Sequence, residues 1–173
     1  MPDSIGGFHS EDSIVVVANR YETSIKNIAY SYQIIPREQI QNLALHSALE
    51  VVDIHFPSAF LFEKKVMGYG VGTAGSGNLY IRGQGGKPNT GVLVLLNGHP
   101  DFMGIFGHPL PDAYGTDDIE QAEILAGPAS TVFGSNAMGG VVNLLTNPDY
   151  TTPFRITAEA GSFNTYNLGL NLN

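Results

Sequence analysis

Four side chains able to ligate a transition metal lie within ten residues of one another: His99, Asp101, Met103 and His108. Imidazole, carboxylate and thioether are all metal donors, and the same groups can grip a metal-bearing small molecule. The segment is therefore either a ligand-contacting loop or an ordered loop whose polar groups are satisfied internally. Two glycine-rich strings invite comparison with phosphate sites. Gly70, Gly72 and Gly75 fit G-x-G-x-x-G. That motif cradles a pyrophosphate only between a strand and a helix N-terminus. Here Glu63-Lys64-Lys65 precedes it and a strand-like NLYIRG follows. Residues 134–140, GSNAMGG, lack the Gly-Lys-Ser/Thr ending of a phosphate loop. No G-x-S-x-G elbow occurs, and no Ser, His and Asp spacing argues for a triad. Arg82 is expected to be structural, paired with a carboxylate, because an unpaired buried guanidinium is costly.

Composition narrows the classes of function. The 173 residues carry a net charge of −8, with eight scattered basic residues against sixteen acids. Residues 112–123 hold five acids and no base. Nucleic acid and anionic lipid need clustered Lys and Arg, so neither is expected as a partner. Charged residues make up 14%, low against a usual ~25%. Twenty-one glycines predict many turns and close backbone approaches. The absence of cysteine excludes disulfides and thiolate metal sites in this chain. Residues 1–11 are acidic and glycine-containing, without the basic start and apolar stretch of a secretory signal. No run approaches the ~18 apolar residues of a membrane helix.

The elements that must position these side chains follow from periodicity and punctuation. Residues 1–11 read as a flexible leader. Residues 14–18 are β-branched and read as a strand or an extended peptide, and residues 31–35 as a short strand. Pro36 opens a helical pattern, in which Ile40, Leu43, Ala44, Ala48, Val51 and Val52 form one stripe, stopped by Pro57. Residues 68–77 are loop, and residues 78–83 and 91–96 are strands joined onward by an Asn97-Gly98 turn. Residues 99–116 make a long loop of the kind that is usually functional. Thr116 is placed to cap a turn or short helix through Glu120. A strand at 121–125 ends at Gly127-Pro128, a short helix spans 129–133, and 141–146 is a last buried strand. Pro148 and Pro153 bound a linker. Beyond it, Phe154, Ile156, Ala158 and Ala160, and after a turn at 161–165 Tyr166, Leu168, Leu170 and Leu172, alternate with polar or small residues. That period suits a membrane β-barrel strand, apolar to lipid and polar to lumen. It equally suits a half-buried strand of a soluble sheet.

Three strings resemble the plug domains of TonB-dependent outer-membrane receptors. The first is IEQAEILAGPASTVFGSNAMGGVVNLLT, residues 119–146, with Gly127, Pro128, Gly134, Gly139 and Gly140 at its turns. The second is VLVLLNGHP, residues 92–100, containing Asn97 and Gly98, and the third is YIRG, ending in Arg82 and Gly83. Order and spacing match as well. DSIVVVA (Asp12, Ser13, Ile14, Val15, Val16, Val17, Ala18) is similar to the TonB box, or else is the first strand of the domain. An extended β-branched peptide can add a strand to a partner's sheet edge, with backbone bonds supplying the affinity. The chain departs from the family in having Ala126 where Arg commonly precedes Gly-Pro, Asn97 in place of Asp, and no additional Pro ahead of Pro36. The ion pair that an arginine at 126 would make is not carried over.

The resemblance implies an α+β fold, a small mixed β-sheet with short helices and long loops, followed by one or two barrel-type strands. It divides the chain into a leader and TonB box (1–18), a plug domain (19–147), and a linker with the first barrel strand or strands (148–173). It implies no enzyme and no cofactor. The expected partners are TonB with ExbB and ExbD, a C-terminal β-barrel of the same polypeptide, and a small-molecule ligand. The implied location is the outer membrane of a Gram-negative bacterium, with the plug in the barrel lumen and the N-terminus periplasmic. Ligand would land on residues 68–77 and 99–116. Siderophore, haem, metal, vitamin, saccharide and peptide all stay open. A soluble periplasmic or secreted ligand-binding domain is the alternative, and a hydrolase a remoter third.

Overall fold

The structure, a computed structural model, describes residues 15–16, 23–24, 31–43, 45–63, 77–86, 89–101, 109–146 and 154–172. In chain order, strand β1 (Val15–Val16) pairs antiparallel with β2 (Thr23–Ser24). Strand β3 (Ser31–Pro36) leads directly into helix α1 (Arg37–Asn42). Helix α2 (Ala48–His55) follows, then strands β4 (Ala59–Phe62), β5 (Asn78–Ile81) and β6 (Gln84–Gly85), which form an antiparallel three-stranded sheet.

The expected single helix is two helices. Ser47 sits in extended backbone and its Oγ accepts from the Glu50 N–H at 3.3 Å. Ser47-Ala-Leu-Glu50 has the spacing of a capping box, so a new helix starts there instead of one continuing from Pro36. The break is held from outside. Ala48 donates to the Tyr114 carbonyl at 2.9 Å, and Ser47 bridges Gly115. The stripe survives, since Ile40, Ala48, Val51 and Val52 are buried and Leu43 is partly so; Ala44 lies outside the described residues. Thr116 does not cap a helix. Its Oγ1 donates to the Leu45 carbonyl at 2.6 Å, tying the helix break to the segment that precedes the next long strand.

The central sheet has strands β7 (Val92–Leu96), β8 (His99–Pro100), β9 (Ile119–Ala126) and β10 (Gly140–Thr146), with β3 at its edge. Its order is β3-β9-β10-β7-β8. β10 runs parallel to β7 and antiparallel to β9, and β3 is antiparallel to β9, so the sheet is mixed as expected. The apolar run of β7, and that of β10 on either side of Asn143, are explained by burial on both faces. One face carries Ile35, Val92, Val94, Ile124, Val142 and Leu144 against α1, α2 and β5. The other carries Leu93, Leu95, Leu125 and Val141 against Ala129 and Ala137. Those alanines belong to the α3 (Ser130–Phe133) region, where Ala129 caps the helix and Ala137 ends a 3-10 turn. Gly139-Gly140 lets three backbones meet there. A Cβ on Gly140 would run into the Leu125 carbonyl, and one on Gly139 would come within 2.7 Å of Gln84 Cβ.

Strands β11 (Phe154–Gly161) and β12 (Thr165–Leu172) form a separate antiparallel hairpin, in register from Phe154 opposite Leu172 to Gly161 opposite Thr165. The turn uses Phe163 and Asn164 at φ 59 and φ 57, the paired left-handed geometry that matches the twist of a tight hairpin.

Candidate functional site

Of the TonB-box segment, Val15 and Val16 are described, and they stand opposite Ser24 and Thr23 in β1–β2. Asp12, Ser13, Ile14, Val17 and Ala18 lie outside the described residues. The metal-donor cluster divides similarly. His99 is exposed on β8 and Asp101 is exposed just after it, while Met103 and His108 lie outside the described residues. The Asp101 N–H donates to the Val94 carbonyl at 2.9 Å, which extends the β7–β8 pairing by a residue. Among the described residues no group of three or more His, Asp and Glu converges as a metal site would.

Arg82 is not buried. It occupies the β5–β6 turn at φ 51, exposed, with its N–H donating to the Ser58 carbonyl at 2.8 Å. Strand β5 ends at Ile81, so Arg82 and Gly83 make the turn instead of continuing the strand. Gly83 follows at φ 74. Ala126, in the position where the family commonly has Arg, is buried among apolar neighbours.

The Asn97-Gly98 turn is as expected, at φ 51 and φ 80, and it is the start of a polar network that sequence reading passed over. Asn97 Oδ1 accepts from the Thr146 N–H at 2.9 Å, and its Nδ2 donates to Thr146 Oγ1 at 2.8 Å. The Gly98 N–H donates to Asn143 Oδ1 at 2.9 Å. Asn143 Nδ2 donates to Glu123 Oε2 at 2.9 Å, and Gln121 Nε2 donates to Glu123 Oε1 at 3.1 Å. Asn143 and Glu123 are both fully buried. Two donors on the carboxylate offset part of the cost of burying a charge. The signal in the sequence was one acid and one amide inside otherwise apolar strands, AEILA and GVVNLL.

Tyr32 on β3 shares that face, diagonal to Glu123 across the β3–β9 pairing. Its pKa is raised well above that of a free phenol, first by burial, then by the Glu123 charge and by the approach of the hydroxyl to that carboxylate. Its hydroxyl is buried and completes no hydrogen bond. Tyr114 is raised likewise, by burial first and then by Asp101, whose main-chain carbonyl accepts from the hydroxyl at 3.4 Å.

The outer face of the three-stranded sheet presents a second feature without a sequence forecast. Phe60, Phe62, Asn78, Tyr80 and Gly83 line an open cleft of about 430 Å³. Alternation explains it. Ala59 and Leu61 turn to the core, while Phe60 and Phe62 turn away. The Phe60 and Tyr80 rings stand opposite each other with centroids 6.0 Å apart. The cleft is large enough for a small ligand, and its described lining residues are uncharged.

A family model described as TonB-dependent Receptor Plug Domain matches residues 24–141. That span holds the IRG, NG, Gly-Pro and Gly-Gly strings together with most of the central sheet. The chain belongs to the TonB-dependent receptor plug domain family. Among curated relatives, the vitamin B12 transporter BtuB of Photobacterium profundum is 30% identical over 162 residues, 92% of this chain and 25% of the relative. The vitamin B12 transporter BtuB of Vibrio vulnificus (strain YJ016) is 27% identical over 143 residues, 80% of this chain and 21% of the relative. This plug chain thus spans about a quarter of the length of the curated relatives it matches. Among solved structures, the siderophore receptor PiuA from Acinetobacter baumannii superposes with a TM-score of 0.64 at 16% identity, covering 92% of this chain and 21% of that one. The ferric yersiniabactin uptake receptor FyuA from Yersinia pestis gives 0.62 at 19%, covering 83% and 21%. These likenesses speak for the plug fold alone.

Proposed function

We propose that this chain is the plug, with the first barrel hairpin, of an outer-membrane receptor that takes up a scarce nutrient at the expense of energy delivered by TonB. The observation that carries the reading is the pairing of a plug-family globule with the β11–β12 hairpin. On that hairpin Phe154, Ile156, Tyr166, Leu168 and Leu170 are exposed in alternating positions, and the register sets Ile156 beside Leu170 and Ala158 beside Leu168. Such a face is stable only against lipid or another apolar surface. A wide barrel would otherwise be an open water channel, and a plug closes it.

In this reading residues 1–18 are the leader and TonB box, 19–147 the plug and 148–173 the linker and first barrel strands. The N-terminus is periplasmic, in a Gram-negative outer membrane. TonB, energised through ExbB and ExbD, takes Asp12, Ser13, Ile14, Val15, Val16, Val17 and Ala18 as an added strand. Val15 and Val16 are already extended and paired in β1–β2, so TonB would exchange one strand partner for another. The ligand lies on the side of residues 68–77 and 99–116, with His99, Asp101, Met103 and His108 as its candidate contacts. The curated relatives named as vitamin B12 transporters make vitamin B12 the first probe, and ferric siderophores the second.

Ile14→Pro removes a backbone donor from the added strand. Pull-down of the full-length receptor by the TonB C-terminal domain should fall about tenfold or more with this variant. Equal capture of both proteins would remove the box assignment.

A further inference from the structure

The buried polar row crosses the whole sheet. It begins at the Gly98 N–H in the β7–β8 turn, passes Asn143 on β10 and Glu123 on β9, and reaches Tyr32 on β3. Its two ends differ in kind. The turn opens the 99–116 segment, and β3 is the edge strand that follows the N-terminal segment. The central bond of the row joins groups that cannot reach water, since Asn143 and Glu123 are fully buried. Losing a partner there leaves a buried donor or charge uncompensated. Such a row relaxes by exchanging partners and not by hydrating in place.

One group in the row has unused capacity. The Tyr32 hydroxyl is buried and completes no hydrogen bond, yet it stands diagonal to Glu123 across the β3–β9 register, near enough for the carboxylate to act on it by charge and by incipient hydrogen bonding. Asn143 Nδ2 donates to Glu123 Oε2, and the amide is oriented because its Oδ1 accepts from the Gly98 N–H. We infer that Asn143 and Tyr32 are alternative donors to Glu123, so that a shift of the Asn97-Gly98 turn which withdraws Asn143 is answered by Tyr32 bonding Glu123 and fastening β3 to β9. The turn and the edge strand are then coupled through a two-position switch, the physical element that a claim of long-range coupling requires. The inference rests on the proposed function for its biological direction, with ligand on the turn side and TonB on the β3 side.

The test needs neither ligand nor TonB, so it can fail while the proposed function stands, and the TonB pull-down can fail while it holds. Amide exchange of residues 32–35 is followed by mass spectrometry in the full-length receptor in detergent. Tyr32→Phe in the native background should change that exchange less than about twofold, since no bond is lost. In an Asn143→Leu background the same Tyr32→Phe change should speed exchange about tenfold or more, because the carboxylate then loses its substitute donor. In an Asn89→Ala background Tyr32→Phe should again have little effect. Asn89 serves as the control because it is buried elsewhere, bonded to Leu79 and Gly77. Should Asn143→Leu fail to fold, Asn143→Ala carries the same comparison. A Tyr32→Phe effect of the same size in all three backgrounds overturns the switch.

Discussion

At the scale of single residues, the molecule is defined by which polar groups it buries and how each is answered. Glu123 and Asn143 sit in the middle of apolar strands and answer each other. Tyr32 and Tyr114 bury phenols beside acids, and in both the neutral form is favoured by burial first. The sign of the pH effect follows. A pKa raised in the folded state contributes stability that is complete below the unfolded value of about 10 and is lost as pH rises through the folded value. Stability should therefore fall with pH above about 10. Neither phenol should ionise before the fold opens. Replacing Tyr32 or Tyr114 with Phe should leave the reversible tyrosinate absorbance of the folded protein unchanged. A drop in amplitude with a midpoint near 10 in either variant would show that phenol to be solvated. The Asn97-Gly98 turn was readable at this scale because left-handed backbone selects those residue types. The placement of Arg82 in a turn was not, because it depends on where β5 stops pairing with β4.

At the scale of elements, local punctuation decided more than periodicity did. The apolar stripe from Ile40 to Val52 has one period, yet Ser47 divides it. Removing that cap with Ser47→Ala should cost about 1 kcal/mol of α2 stability. Amide exchange at residues 48–51 is the readout, and an unchanged rate would mean that the Tyr114 and Gly115 contacts alone set the helix start. Strand β4 exists because it has β5 to pair with and because Asp53 Oδ1 accepts from the Leu61 N–H at 2.9 Å. Four residues carry too little pattern to announce themselves without that partner.

At the scale of the whole molecule, two surfaces of opposite character share one chain. The central sheet is covered on both faces, whereas the hairpin displays its apolar residues to the outside. If that face meets lipid, Leu168→Arg in the full-length receptor should cost roughly 2–4 kcal/mol near the bilayer midplane. Thr157→Lys, on the alternate face, should be tolerated. The yield of folded receptor in outer membranes measures both. Equal yields would return the hairpin to the soluble alternative.

The sequence alone was sufficient for most strand positions and the tight turns, and, through its resemblance to a known family, for the expectation of a mixed sheet. Those depend on residue type at short range: β-branched runs, glycine where backbones close, and motif strings in order. Tertiary structure alone decided that β7 and β10 are parallel neighbours, that Glu123, Asn143 and Tyr32 share one buried row, and that Phe60, Phe62 and Tyr80 form an outer cleft. Those facts join residues many positions apart. Strand order and facing are chosen by the burial of the whole sheet, and no local spacing encodes them.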